Sequence, residues 1–150
     1  MKEKKNKARC IFCDAAADPK ADEQKLVIFR GSLAFALLNR YPYTSGHLMI
    51  APYAHVSRLS GASEDTSAEM MQLTRRAERI LEQTYDPDGL NLGMNLGEAA
   101  GAGIEEHIHM HVLPRWKGDA NFMTSVGSTR IIPEALEDTY TKLRDGFAKF

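Results

Sequence analysis

The segment His107-Ile108-His109-Met110-His111-Val112-Leu113-Pro114 holds three of the chain's five histidines. They alternate with apolar residues, which is the period of a strand and not of a helix. Side chains at i, i+2 and i+4 share one face, roughly 6–7 Å apart along the backbone. His107, His109 and His111 are therefore expected on one side, with Ile108, Met110 and Val112 turned into a core. Pro114, lacking a backbone donor, is expected to end the strand. A solvated strand face mixes Thr, Lys and Glu, and three aligned imidazoles have no evident structural purpose. Neutral imidazole is a nucleophile, and the hydrogen bond at one ring nitrogen selects which nitrogen is left free. So held, it can attack phosphorus and form a covalent intermediate. The next histidine on the same face can donate to phosphate oxygens as charge develops. The spacing fits a second chemistry equally: His-x-His can supply two ligands to a catalytic zinc, with Glu105 on the same face if the strand extends that far. Cys10-Ile11-Phe12-Cys13 is a second constellation. Cys-x-x-Cys is half of a structural zinc site, and it also reads as a redox pair or an unoccupied thiol pair.

The elements that must position these residues make an α+β pattern without repeat or linker. Leu26 to Arg30 reads as a short strand, and Leu33 to Leu38 as its hairpin partner after Gly31-Ser32. His47 to Ala51 reads as a third strand stopped by Pro52. Thr66 with Glu69 forms a capping-box pattern near a helix start. Met70, Leu73, Ala77, Ile80, Leu81 and Thr84 then recur at helical spacing to about Tyr85. Asp86-Pro87-Asp88-Gly89 is a turn. Leu90, Leu92, Met94 and Leu96 alternate as a fourth strand. A Gly/Ala-rich loop, Gly97 to Gly103, leads into the histidines. Pro133-Glu134 is expected to open a last helix, with Leu136, Tyr140, Leu143 and Phe147 on one face. Short turns between consecutive strands favour an antiparallel sheet.

Composition narrows the class. One chain of 150 residues with 43% hydrophobic and 26% charged residues suits a single soluble domain over 10–150. Residues 1–9, with Lys2, Lys4, Lys5, Lys7 and Arg9, read as a flexible basic tail with at most a weak nucleic-acid contact. No apolar stretch follows this tail, so it does not read as a secretory signal. The net charge of −1 gives no global field for nucleic acid, so no nucleic-acid partner is expected. No stretch reaches the ~20 apolar residues of a membrane span, so no membrane partner is expected either. Two cysteines too close together to staple a fold suit a reducing cytoplasm.

The residues now carry a resemblance. His107-Ile-His109-Met-His111-Val112-Leu113 resembles the motif of the histidine-triad (HIT) family. Cys10-Ile-Phe-Cys13 is similar to the amino-terminal motif of many bacterial members. Phe35-Ala-Leu-Leu-Asn39-Arg40, followed by Gly46-His47-Leu-Met-Ile-Ala-Pro52 and His55, is similar to the family's central segment. The resemblance covers most of the chain. It implies an α+β fold with a five-stranded antiparallel sheet, one long helix and a carboxyl-terminal helix. It also implies homodimers whose sheets join, and nucleotidyl transfer or hydrolysis at an α-phosphate. By position, it implies that His109 is the nucleophile and that His111 binds the α-phosphate. Asn39 would meet the ribose hydroxyls, His47 would support the triad from the adjacent strand, and Phe12 would wall the base pocket. Asn95 would lie near the phosphates. For Asn39 and Asn95 the alternative is turn chemistry, since Asn is common at strand ends.

Pro114-Arg115-Trp116-Lys-Gly118-Asp119-Ala-Asn121-Phe122-Met123 resembles the branch that contains bacterial diadenosine tetraphosphate phosphorylases. Its Pro-Arg and Gly-Asp also resemble the fragile-histidine-triad hydrolases. Trp116 would stack on a base or fill a dimer seam. Many relatives carry a Ser or Thr just before the triad where this chain has Ile104, which counts against simple phosphoramidate hydrolysis. Gly101 and Gly103 would instead offer unshielded backbone donors to phosphate. The expected reaction is cleavage of a dinucleoside polyphosphate by double displacement through His109, with phosphorolysis favoured over hydrolysis. A nucleotide-binding module with little turnover and a zinc-dependent hydrolase are the competing classes. With His47 assigned to the active site by the resemblance, Cys10, Cys13, His55 and His107 are left as the ligands of one structural zinc.

Overall fold

The computed structural model describes residues 10–120 and 134–150. The basic tail, the Asn121-Phe122-Met123 continuation and Pro133 lie outside the described residues. Helix α1 (Ile11–Ala17) is followed by a 3-10 turn and a short α2 (Asp22–Lys25). Strands β1 (Val27–Arg30), β2 (Ala34–Leu38) and β3 (Leu48–Pro52) come next. The long helix α3 (Glu64–Tyr85), β4 (Gly89–Gly93), β5 (Met110–Arg115) and α4 (Leu136–Ala148) complete the order. The strands form one five-stranded sheet in the order β1-β2-β3-β5-β4. Every neighbouring pair is antiparallel.

The period-two pattern gives the sheet two different faces. Ala36, Leu38, Leu48, Ile50 and Val112 meet α3 and α4 through Met70, Leu73, Ala77, Ile80, Leu81, Leu143 and Phe147. The heptad-like spacing of those helical residues is the apolar stripe that the sequence displays. Gly146 permits the close crossing of α4 over α3, since a Cβ there would stand 2.7 Å from Ile80 Cγ2. The other face carries Val27, Phe35, Leu37, Met49 and Ala51 under Cys10, Phe12 and Ala15 of the α1 segment. β2 is buried on both faces along its whole length, so its run of Ala34 to Leu38 is uniformly apolar.

Two prolines take part in strand pairing, Pro52 as the last residue of β3 and Pro114 inside β5. Pro52 pairs with Ala34 at the end of β3. Its carbonyl accepts from His107 Nε2 at 2.8 Å. N and O of one strand residue point the same way, so the proline nitrogen also faces the β5 side. There the ladder has already ended at Ile50–Met110. Pro114 pairs with Leu90 in β5, and its carbonyl accepts from Thr44 Oγ1 at 2.9 Å, beyond the start of β3. Neither ring removes a ladder bond, which is the condition for proline in a sheet.

Three further elements differ from the sequence expectation. The α3 cap is Ser63, whose side chain accepts from Thr66 N at 3.1 Å, one turn before the Thr66–Glu69 pattern. Glu69 instead reaches the β1–β2 hairpin and accepts the backbone N–H groups of Ser32, Leu33 and Ala34. β4 ends at Gly93, where the pairing with His111 is the last, so Met94 and Leu96 leave the ladder. α4 begins at Leu136 with Ala135 as its cap.

Candidate active site and metal centre

His111 lies within β5, while His107 and His109 lead into it. Their rings gather on the α1 face. Ile108, between them, points to the α3 face and donates its N–H to Val56 O at 2.8 Å. The three histidines therefore align as the alternation requires, although regular strand begins only at Met110.

Hydrogen bonds fix the tautomer of each ring. His109 Nδ1 lies 3.0 Å from the carbonyl oxygen of His107. A carbonyl only accepts, so Nδ1 carries the proton and Nε2 keeps its lone pair. His47 Nδ1 accepts from Tyr43 N at 3.1 Å. Its proton is then on Nε2, which donates to His111 Nδ1 at 2.8 Å. The proton of neutral His111 is left on Nε2. A lone pair on His109 thus stands beside a donor on His111, with ring centroids 4.8 Å apart. Gly46 makes the approach to His47 possible, since its backbone has φ +84° and a Cβ there would strike Tyr85 and Leu81.

Burial favours the neutral form of the three triad rings. It pushes His109 and His107 below the usual imidazole range. It pushes His111 down to about 4, with the neighbouring His109 adding a smaller effect. Phe12, fully buried, closes the site from the α1 side, with its ring 4.7 Å from His109 and 5.1 Å from His107.

His107 points its ring away from this pair. Its Nε2–H donates to Pro52 O, so Nδ1 is unprotonated. That nitrogen stands 3.3 Å from Cys10 Sγ, 3.6 Å from Cys13 Sγ and 3.1 Å from His55 Nδ1. Cys13 Sγ is 3.2 Å from His55 Nδ1. All four ligand atoms lie within 4.8 Å of one another. Tetrahedral zinc, with bonds of about 2.3 Å to sulfur and 2.0–2.1 Å to nitrogen, requires S···N edges of about 3.5 Å and an N···N edge of about 3.4 Å. These four S···N and N···N separations agree to within a few tenths of an ångström, so Cys10, Cys13, His55 and His107 could hold a metal ion. The Pro52 carbonyl behind His107 is the kind of partner that orients a ligating imidazole.

The other sequence candidates are spread around this core. Asn39 lines a cavity of about 290 Å³ with Ile11, Ala15, Leu37, Met49 and Arg40. Its Oδ1 also accepts from Tyr41 N at 2.9 Å, so the turn chemistry is present as well. Asn95 donates from Nδ2 to Gly101 O at 3.4 Å, which ties the strand exit to the glycine loop. Gly101 and Gly103 are exposed. Trp116 lies past the far end of β5 from His109, edge-on to Tyr85 at 6.3 Å. Phe12, Asn95, Gly101, Gly103 and Trp116 are not among the described residues lining the cavity.

Two contributors were not visible in the sequence. Tyr43 supplies the N–H that fixes His47, and its ring lies 4.7 Å from His47. Arg30 anchors α1, donating to Ala15 O at 2.6 Å and Ala16 O at 3.0 Å while pairing with Asp22 at 2.8 Å. Both act across turns of the chain, and no local spacing announces them.

The HIT domain family model matches residues 20–118. AP-4-A phosphorylase of Mycobacterium tuberculosis is 46% identical over 129 residues, covering 86% of this chain and 66% of that protein. The chain therefore spans just under two thirds of that relative's length. Bis(5'-adenosyl)-triphosphatase of Dictyostelium discoideum is 29% identical over 96 residues, 64% of each chain. Among solved structures, a Zn-bound histidine triad family protein of Mycobacterium smegmatis superposes with TM-score 0.71, 27% identity and 95% coverage of both chains. A hypothetical histidine triad nucleotide-binding protein of Sulfolobus tokodaii gives 0.73 at 26% identity and 93% coverage of both. With two thirds of its length matched by the family model and the triad geometry in place, this chain belongs to the HIT domain family.

Proposed function

We propose that this protein cleaves dinucleoside polyphosphates at the α-phosphate through a covalent intermediate on His109, with inorganic phosphate as the favoured acceptor. One observation carries the reading: the His107 carbonyl accepts a hydrogen bond from His109 Nδ1–H, which leaves the Nε2 lone pair as the nucleophile. In the first displacement the Nε2 lone pair forms a bond to the α-phosphorus. The bond from phosphorus to the bridging oxygen breaks, and its electron pair leaves with the departing nucleotide. The resulting imidazolium is stabilised by the same carbonyl. His111 Nε2–H donates to the phosphoryl oxygens, where charge gathers. In the second displacement an oxygen of phosphate attacks, and the N–P bond electrons return to His109. For diadenosine tetraphosphate the products are ATP and ADP.

Asn39 and the cavity around Ile11 and Ala15 fit a nucleoside. The exposed Gly103 backbone would serve an anionic acceptor, whereas the N–H groups of Gly101 and Ala102 already donate to Glu98 O and Gly97 O. The 46% identity to a protein named for phosphorolysis supports the same acceptor. We read the Cys10–Cys13–His55–His107 centre as a zinc site. When bound, zinc would tie the amino-terminal segment to the sheet. A homodimer joined at the β4 edge is part of the proposal, supported by the exposed Leu92 on that strand and the exposed Leu96 beyond its end.

Labelled inorganic phosphate tests the reaction. With diadenosine tetraphosphate, label must appear in ADP. Production of AMP and ATP alone, at a rate indifferent to phosphate, would make the protein a hydrolase. No turnover with retained nucleotide binding would favour a binding module.

A further inference from the structure

We propose that the Cys10–Cys13–His55–His107 centre positions the nucleophile, and that Cys10, Cys13 and His55 are positioning residues for the reaction as well as a staple for the fold. The inference rests on the reading of His109 as nucleophile. Its structural basis is that one residue, His107, belongs to both systems. The His107 ring faces Cys10, Cys13 and His55 through Nδ1 and is held at its other end by Pro52 O. The same residue's carbonyl oxygen lies 3.0 Å from His109 Nδ1. A ring fixed at both nitrogens fixes the peptide behind it, and that peptide selects the tautomer of His109.

Two further tethers run the same way. Phe12 lies between the two cysteines in sequence, and its ring stands against both His107 and His109. Val56, next to His55, accepts the N–H of Ile108 at 2.8 Å, between the two histidines. The ligand-bearing segments thus hold residues 107–109 from both sides. The centre also offers a cation a ready seat: His107 Nδ1 is unprotonated and stands 3.1 Å from His55 Nδ1, 3.3 Å from Cys10 Sγ and 3.6 Å from Cys13 Sγ. Partial release of that cluster frees the His107 ring, and the carbonyl loses its fixed direction toward His109.

The test compares wild type, His55→Ala and His55→Cys, the last keeping a fourth ligand of a kind zinc accepts. Zinc per chain is measured by elemental analysis. The tautomer of His109 is read from imidazole nitrogen chemical shifts in the absence of substrate. kcat and KM are measured on diadenosine tetraphosphate. In His55→Ala, zinc is lost, His109 changes from a single Nδ1–H tautomer to a mixture, and kcat falls about 10- to 100-fold with a smaller change in KM. In His55→Cys, zinc, tautomer and kcat return together. A folded, zinc-free His55→Ala chain with the wild-type tautomer and kcat would overturn the proposal. Where His55→Ala does not fold, His55→Asp with zinc titrated by a chelator replaces it. Tautomer and kcat must then follow occupancy, and independence from occupancy is the contradicting result. The tautomer readout needs no turnover, so it separates failure of this proposal from failure of the nucleophile assignment.

Discussion

His47 Nε2 and His111 Nδ1 stand 2.8 Å apart across the β3–β5 ladder, and this contact decides which nitrogen of His111 can donate. His47 sits just before β3 and is itself set by Tyr43 N. His47→Ala removes the donor that His111 Nδ1 accepts, and His111 can then take either tautomer. The expected result is a kcat about 10- to 100-fold lower with KM less affected, the usual cost of losing a supporting hydrogen bond. His47→Gln, whose amide can still donate, should recover part of the loss. Steady-state kinetics of the two variants check this, and equal loss in both would contradict it.

Neutral His111 makes stability depend on pH. Burial holds His111 at about 4 in the folded chain, against an ordinary value of 6.5. Between those values the unfolded chain binds more protons, so acid favours unfolding. Stability from this group is fully present above pH 6.5 and is lost as pH falls toward 4. Burial moves His107 and His109 in the same direction. Urea midpoints measured across this window should fall more steeply in wild type than in His111→Gln. Parallel pH profiles would contradict the assignment.

Glu69 gathers three backbone donors at the β1–β2 hairpin. Glu69→Ala leaves them without that acceptor and should cost about 1.5–3 kcal/mol, the range for hydrogen bonds to a charged group. Glu69→Gln should cost less. Equilibrium unfolding in urea measures both, and an unchanged midpoint in Glu69→Ala would show that water replaces the carboxylate fully.

Asn39 separates ribose binding from turn formation. Asn39→Asp keeps an oxygen for Tyr41 N and an acceptor facing the cavity, whereas Asn39→Ala loses both. Asn39→Ala should raise KM about tenfold, equivalent to about 1.4 kcal/mol of binding. Its kcat should stay within a small factor. A KM effect that vanishes when melting temperatures are matched would assign the residue to the turn alone.

What the sequence made legible was the part written in short spacings. Alternation aligned His107, His109 and His111, and helical spacing delineated α3 to Tyr85. The ligand set Cys10, Cys13, His55 and His107 came from elimination once His47 was assigned by the family resemblance, and the four side chains do converge. The rest depends on partners distant in the chain. Pro52 does close β3, but Pro114 read as a strand end because a sequence does not say which side of a strand lacks a neighbour. Glu69 read as a capping residue because its hairpin partners lie more than thirty positions away. The tautomers within the triad were also hidden, since they depend on carbonyls and amides that carry no side-chain signature. Trp116 was expected at a base or a seam, and within this chain its ring meets Tyr85.

The central claim is that His109 Nε2 is the nucleophile. Its most direct test is rapid mixing with diadenosine tetraphosphate, alkaline quench and mass spectrometry of the denatured chain and its peptides. The account predicts one adenylyl group per chain, carried by the peptide holding His109, transient in wild type and absent in His109→Asn, which still binds nucleotide. Full turnover by His109→Asn, or an adduct carried by another residue, would contradict it.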